Sequence, residues 1–491
     1  MSTTSRAVAD WMRRRELTTV FCGPGASGVF PGDVRRILAL QEAVAVAMAG
    51  GYASVTGRPA LVDLCAETPG ALGAVQGAAA GRTPLILTAG PRLRAMLTMD
   101  ALFTAAPRRP PVKWSCEPRP QDVPDALEWA YHLALAPPRG PVCLALPGPD
   151  TIAADAVPPL RPMAAAAAPD PIALGLLAER LDRAHSPVLV VGADVDASGG
   201  WAAAVELAER CALPVWEAPP ASRVSFPQSH PHYRGALLPD AEPAARQLAG
   251  HDLVVVAGAP PPPLPDGAEA VLLTCDPADA PFGHVICGDV RQALAALAEL
   301  TKVREEPLPG AWPAPSPAPP GRRPMSPVTA LAALAEGAPP ETIWVSESPS
   351  IRPAFHDQIR IDRPGSFLCA ADGGPGHGLP AAVGAQLGRP YRPVVAVIGD
   401  GSLHHAVTAL WSAAAYRVPV TVVVLTDREH AMMRWFRHLD GPGLDVDVRA
   451  VAKGYGLAAC HVESGRALTA AVRIATASDL PMLIEVPVSG P

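Results

Sequence analysis

Lysine is almost missing from this chain. Lys113, Lys302 and Lys453 are the only three in 491 residues, so nearly all of the 40 basic side chains are arginine. Acidic residues outnumber basic ones, 47 to 40, for a net charge of −7. That leaves no basic excess for the electropositive face a nucleic-acid partner requires. Nine cysteines are scattered without a single C-x-x-C pair, which argues against a zinc site and suits a reduced, cytoplasmic protein better than a disulfide framework. No uninterrupted apolar run of about 18 residues occurs, so no membrane span is expected. Met1 to Leu17 sets Arg, Asp and Glu among its apolar positions and lacks the apolar centre of a secretory signal.

Apolar residues are abundant, 49% against 18% charged, enough to bury sizeable cores. At roughly 150 residues per domain the length suggests about three domains. Proline, 60 of 491, is well above its usual ~5%. Short apolar runs bounded by Pro and Gly alternate with helical patterns in three blocks, which predicts an α/β protein of three domains, each with a mostly parallel sheet flanked by helices. The first block covers 1–160, with helices at Ala7–Leu17 and Ile37–Ala53 and strands at Thr18–Cys22, Ala60–Leu64, Leu85–Thr88 and Val142–Leu146. The middle block covers 172–303. A proline-dense linker, 304–327, should be extended. The last block covers 328–491, with strands at Val394–Ile398, Val420–Leu425 and Met482–Val486. Three blocks of similar size could be distant copies of one architecture.

The segment from Ala396 carries the most chemistry. A strand ends in Gly399-Asp400-Gly401-Ser402 and a helix follows. Glycines at such a turn let backbone N–H groups approach an anion, and a helix N-terminus favours negative charge. A second strand ends at Thr426-Asp427. In a parallel sheet two such strand ends can lie side by side, so Asp400 and Asp427 can share one ion; Mg²⁺ prefers hard oxygen ligands and commonly completes its shell with phosphates and water. A Gly-Asp-Gly turn alone would be only a tight turn with a helix cap. The second carboxylate at the paired strand end makes the pattern specific.

This pattern resembles the thiamine-diphosphate-binding signature of the pyruvate-decarboxylase-like enzymes. The resemblance implies Gly399, Asp400, Gly401 and Ser402 as cofactor-binding residues, with Asp400, Asp427 and Glu429 as Mg²⁺ ligands. It extends to Leu38-Ala39-Leu40-Gln41-Glu42-Ala43, which is similar to the helix bearing the family's cofactor-activating glutamate, here Glu42. A carboxyl group there hydrogen-bonds a ring nitrogen of the cofactor, and partial burial would raise its pKa. Within the family the chain is most similar to the benzoylformate decarboxylases, through Pro111-Val112-Lys113-Trp114-Ser115, Gly192 to Ala197, Arg434-Trp435-Phe436 and Val451 to Gly456. Ser346-Glu347-Ser348 looks like a family string near the cofactor and implicates Ser348. The resemblance implies a small 2-oxo acid as substrate. It also implies a homodimer or homotetramer with active sites at the subunit interface.

Three polar positions of that group are lost. Ala26 stands where a serine is expected, with Ser27 one position further on; Cys65 replaces one histidine; the loop of a second is shortened to Pro260–Pro263. Histidine suits proton delivery near neutral pH, so its loss favours coupling to a second carbonyl over simple release of an aldehyde. His377 and His430, with His404 and His405 nearby, are the histidines on or near the expected cofactor loops. By the same match Ala26, Ser27, Cys65, Met432, Met433 and Phe436 would line an apolar substrate pocket. Three readings follow: a non-oxidative 2-oxo acid decarboxylase, a carboligase or lyase using the same cofactor, and a degenerate, non-catalytic relative.

Overall fold

The computed structural model describes residues 2–26, 28–30, 32, 34–64, 69–89, 111–148, 152–153, 160, 166–219, 222–265, 267–279, 284–305, 323–427 and 446–489. They form three six-stranded sheets, distributed over two compact units. One unit comprises 1–164, 317–359 and 369–491; the other comprises 165–316 with 360–368.

The first sheet contains β1 (Thr19–Cys22), β2 (Arg35–Leu38), β3 (Ala60–Asp63), β4 (Leu85–Ala89), β5 (Ser115–Cys116) and β6 (Val142–Ala145), in the order β2-β1-β3-β4-β6-β5. All pairs are parallel. Central strands β1, β3 and β6 are buried along their whole length, which explains why they are apolar apart from Thr19 and Asp63. The edge strand β2 corrects the sequence reading. Ile37 and Leu38 pair with Phe21 and Cys22, so the helix expected from Ile37 starts only at Glu42, as α1 (Glu42–Thr56). Arg35 and Arg36 are exposed on β2, a charged edge that discourages further strand pairing. The polar groups of Leu38 reach another part of the same unit: its N–H donates to the Tyr416 hydroxyl at 2.8 Å, and its carbonyl accepts from Ser412 Oγ at 2.9 Å.

α1 is apolar on every side and nearly all buried, as a central helix must be. It ends at Gly57, whose φ of +70° supplies a left-handed cap. A second helix, α2 (Leu72–Ala80), leads into β4.

The other unit holds β7 (Pro187–Val191), β8 (Val215–Glu217), β9 (Tyr233–Ala236), β10 (Leu253–Ala257), β11 (Glu269–Thr274) and β12 (His284–Cys287), in the order β9-β8-β7-β10-β11-β12. Successive strand residues enter opposite cores. Leu189, Val191 and Val255 pack on one face, Val188, Val190 and Val254 on the other. The strand order reverses between β7 and β10, where open α/β sheets hold dinucleotides in a crevice. Here the loops that follow the two strands press against each other. A β-carbon on Gly192 would lie 2.3 Å from Ala259 Cβ, and one on Gly258 would lie 2.8 Å from Asp194 Cβ.

The third sheet contains β13 (Ile343–Glu347), β14 (Phe367–Leu368), β15 (Val394–Gly399), β16 (Thr421–Thr426), β17 (Ala458–His461) and β18 (Met482–Pro487), in the order β14-β13-β15-β16-β18-β17. This is the order of the first sheet over again, whereas the sheet of the other unit differs. Four helices accompany the site: α3 (Arg352–Gln358), α4 (Gly378–Gly388), α5 (Asp400–His405) and α6 (Ala409–Ala415). α4 packs on α1 through glycine. A β-carbon on Gly51 would stand 2.0 Å from the Ala381 carbonyl oxygen, and one on Gly384 would stand 1.8 Å from that of Met48. Most of the linker, residues 306–322, lies outside the described residues.

Candidate active site

Strand register builds the site. Glu347 of β13 pairs with Ile398 of β15, and Gly399 pairs with Leu425 of β16. Ser348, Asp400 and Asp427 therefore emerge together at the carboxyl ends of three adjacent strands. They open on a cavity of about 330 Å³ that is also lined by Gly401, Ser402, Arg352, Cys369, His405 and the Gly373–Pro375 turn. The sequence expectation that the two aspartates meet at neighbouring strand ends agrees with this geometry.

Asp400 is buried at the start of α5 and accepts the Gly401 N–H through Oδ1 at 2.7 Å. Ser348 is also buried, and its Oγ has no hydrogen-bond partner among the described residues. A buried hydroxyl left unsatisfied costs about 1–3 kcal/mol, so a polar ligand in the cavity would be stabilised by meeting it. Gly399 adjoins it: a β-carbon there would stand 3.7 Å from that hydroxyl, an ordinary contact. Among the described residues no three His, Cys, Asp or Glu side chains form a metal cluster, while both carboxylates, Asp400 and Asp427, line the cavity.

Glu347 was legible only as the centre of the Ser346–Ser348 string. Its carboxylate accepts from the backbone N–H groups of Gly376 and Gly378, the second at 2.5 Å, and so ties the glycine turn to β13. Burial raises its pKa from the ordinary 4.5 to about 7, against the opposing pull of those two N–H groups. Gly378 permits this approach, since a β-carbon on it would lie 2.7 Å from Glu347 Cβ. Arg352 and Cys369 were not anticipated either. The Arg352 guanidinium donates to Cys369 Sγ, and both side chains face the cavity. The available sequence signal was weak: one cation in the stretch Ser348-Pro349-Ser350-Ile351-Arg352-Pro353.

Glu42 does not line this cavity. It is buried in the first turn of α1, beside the Gly23-Pro24-Gly25 turn; a β-carbon on Gly23 would lie 2.8 Å from Glu42 Cγ. Ala26 follows that turn and is half-buried. His377 caps α4, half-buried and outside the cavity wall, with burial pushing its imidazole below the usual range. Ser27, Cys65, Glu429, His430, Met432, Met433 and Phe436 lie outside the described residues.

The sequence profiles of the thiamine pyrophosphate enzymes match all three blocks: the N-terminal TPP binding domain at residues 2–103, the central domain at 174–297 and the C-terminal TPP binding domain at 351–486. Benzoylformate decarboxylase of Pseudomonas aeruginosa is 42% identical over 99% of both chains. Among solved structures, a thiamine diphosphate-dependent 4-hydroxybenzoylformate decarboxylase of Rhodococcus jostii superposes with a TM-score of 0.91 at 35% identity, covering 100% of each chain. Benzoylformate decarboxylase of Polynucleobacter necessarius gives a TM-score of 0.92 at 33% identity, covering 100% of this chain and 99% of that one. Among the described residues no helix is long and apolar enough to cross a membrane.

Proposed function

The chain belongs to the thiamine pyrophosphate enzymes, and from that premise we propose that it is a non-oxidative decarboxylase of an aryl 2-oxo acid of the benzoylformate type. The observation that carries the reading is the juxtaposition of Ser348, Asp400 and Asp427 in one cavity, within a chain similar to benzoylformate decarboxylase over its whole length.

These residues fit the cofactor. The Ser348 hydroxyl lacks a partner among the described residues, Gly399 and Gly401 line the cavity beside it, and two carboxylates offer the hard oxygen donors that Mg²⁺ takes. Gly399 to Ser402 and Ser348 would hold the diphosphate, and Asp400, Asp427 and Glu429 the Mg²⁺. When bound, thiamine diphosphate supplies the sink for the electrons released as CO₂ leaves. Glu42 would hydrogen-bond a ring nitrogen of the aminopyrimidine; its burial limits competition from water. By likeness to the family, a second copy would contribute Glu42 to each site, with active sites shared across a homodimer or homotetramer interface. Ala26, Ser27, Cys65, Met432, Met433 and Phe436 would shape the apolar side of the substrate site. His377 and His430 are the proton-handling candidates. Burial disfavours the charged form of the His377 imidazole, so a proton it took up would be readily passed on.

One observation favours a second reading. Cys65 and the Pro260–Pro263 run stand where the related decarboxylases are expected to have histidines, and the loss of those proton donors favours coupling to an acceptor aldehyde. Incubation with Mg²⁺, thiamine diphosphate, benzoylformate and an aldehyde acceptor, read by NMR, separates the two. Benzaldehyde alone supports the decarboxylase; a hydroxyketone supports the ligase; consumption of neither benzoylformate nor related aryl oxo acids overturns both.

A further inference from the structure

The cavity is short of positive charge for the ligand its residues fit. Asp400 and Asp427 both face it, and Glu347 lies at its wall. A diphosphate ester brings about three further negative charges at neutral pH, and one Mg²⁺ returns only two. Two unit charges about 4 Å apart interact by roughly 4 kcal/mol at the effective dielectric near a protein surface. A further positive group is therefore worth a large factor in affinity. Among the described residues that line the cavity, Arg352 is the one lysine or arginine side chain.

Its placement is built rather than incidental. Arg352 is half-buried at the start of α3, four residues after Ser348. The buried Cys369, which follows β14, holds the guanidinium through its Sγ. A guanidinium keeps its charge at any working pH and offers forked donors to phosphate oxygens. The unpartnered Ser348 hydroxyl, nine-tenths buried in the same cavity, is an independent sign that a polar ligand belongs there.

We propose that Arg352 recognises the diphosphate of the cofactor, balancing the second carboxylate, Asp427, that the cavity turns towards the same anion. The proposal rests on the cofactor reading above and assigns to Arg352 the anion recognition that reading leaves to Ser348 and the glycine turn. Arg352 takes no part in bond making; its work is to bind and orient.

The test is calorimetric titration of the full chain with thiamine diphosphate and with unphosphorylated thiamine, in saturating Mg²⁺ and at several salt concentrations. Wild type, Arg352→Gln, Arg352→Lys and Arg352→Gln/Asp427→Asn are compared, each first checked for a native circular dichroism spectrum and an unchanged melting temperature. Charge-assisted hydrogen bonds predict a loss of about 10- to 100-fold in diphosphate affinity for Arg352→Gln. Arg352→Lys should lose less, the double variant should recover part of the loss, and the affinity of Arg352→Gln should fall less steeply with salt. Thiamine affinity should not change. Equal diphosphate affinity in Arg352→Gln and wild type would overturn the proposal alone, as would parallel losses for thiamine and its diphosphate. A wild-type chain that binds no thiamine diphosphate would overturn the cofactor reading and this proposal with it.

Discussion

Gly51 of α1 and Gly384 of α4 each press against the backbone three residues before the other: Gly51 against the carbonyl of Ala381, Gly384 against that of Met48. A mid-helix glycine costs roughly 0.5–1 kcal/mol relative to alanine. Here it is offset by an approach that no side chain allows. The contact matters for the site because α1 carries Glu42 at one end and α4 follows the glycine turn clamped by Glu347.

Gly384→Ala should destabilise the protein by about 1–3 kcal/mol, the usual cost of overpacking, or more because the obstacle is backbone. Urea unfolding measures it. Stability equal to wild type would mean that the two helices separate easily.

Glu347 predicts a pH dependence of known sign. Its folded pKa, about 7, lies above the ordinary 4.5, so between those values the folded chain binds more protons than the unfolded one. Its contribution therefore diminishes as pH rises through that window. Relative to wild type, Glu347→Gln without cofactor should gain stability from pH 4.5 to 7, by roughly 2–3 kcal/mol at most. Parallel melting curves for the two proteins across that range would refute the assignment.

Glu42→Gln should lower kcat by about 10²- to 10⁴-fold, the usual span for a positioned acid–base group, with cofactor affinity kept within a few fold. Unchanged turnover would remove Glu42 from the mechanism and undermine both enzymatic readings.

Shared active sites make a quantitative expectation. Coexpressed Glu42→Gln and Asp400→Asn chains, each inactive alone, should regain about a quarter of wild-type activity if each site takes one residue from each subunit of a symmetric dimer. No recovery despite verified mixed dimers would put Glu42 and Asp400 to work within one chain.

Asp427→Asn should keep or improve thiamine diphosphate affinity in saturating Mg²⁺, because it removes a charge that repels the diphosphate. Abolished binding by calorimetry would show that the metal needs the second carboxylate.

The legible parts of the fold were those with an unbroken local signal. Val394–Ile398 and Val422–Leu425 are continuous apolar runs two residues before Asp400 and Asp427, and buried parallel strands impose that pattern. Arg35–Leu38 was not legible as a strand. Its apolar end runs into α1 without a Gly or Pro to separate them, and only pairing with β1 makes it extended. The Arg352–Cys369 pair was hidden for another reason. The partners are 17 residues apart, with a helix and the 360–368 excursion between them, and no spacing rule joins them.

The first and third sheets share one strand order, and α1 and α4 occupy the same place within it, each between the second and third strands of its sheet. Their glycine contact is thus reciprocal in the way of a twofold interface, Met48 answering Ala381 and Gly51 answering Gly384. That is the mark a fused homodimer would leave in a single chain. After such a duplication the descendants could divide their labour, one retaining strand-end aspartates and the other a buried glutamate, while the seam between them stayed as it was inherited.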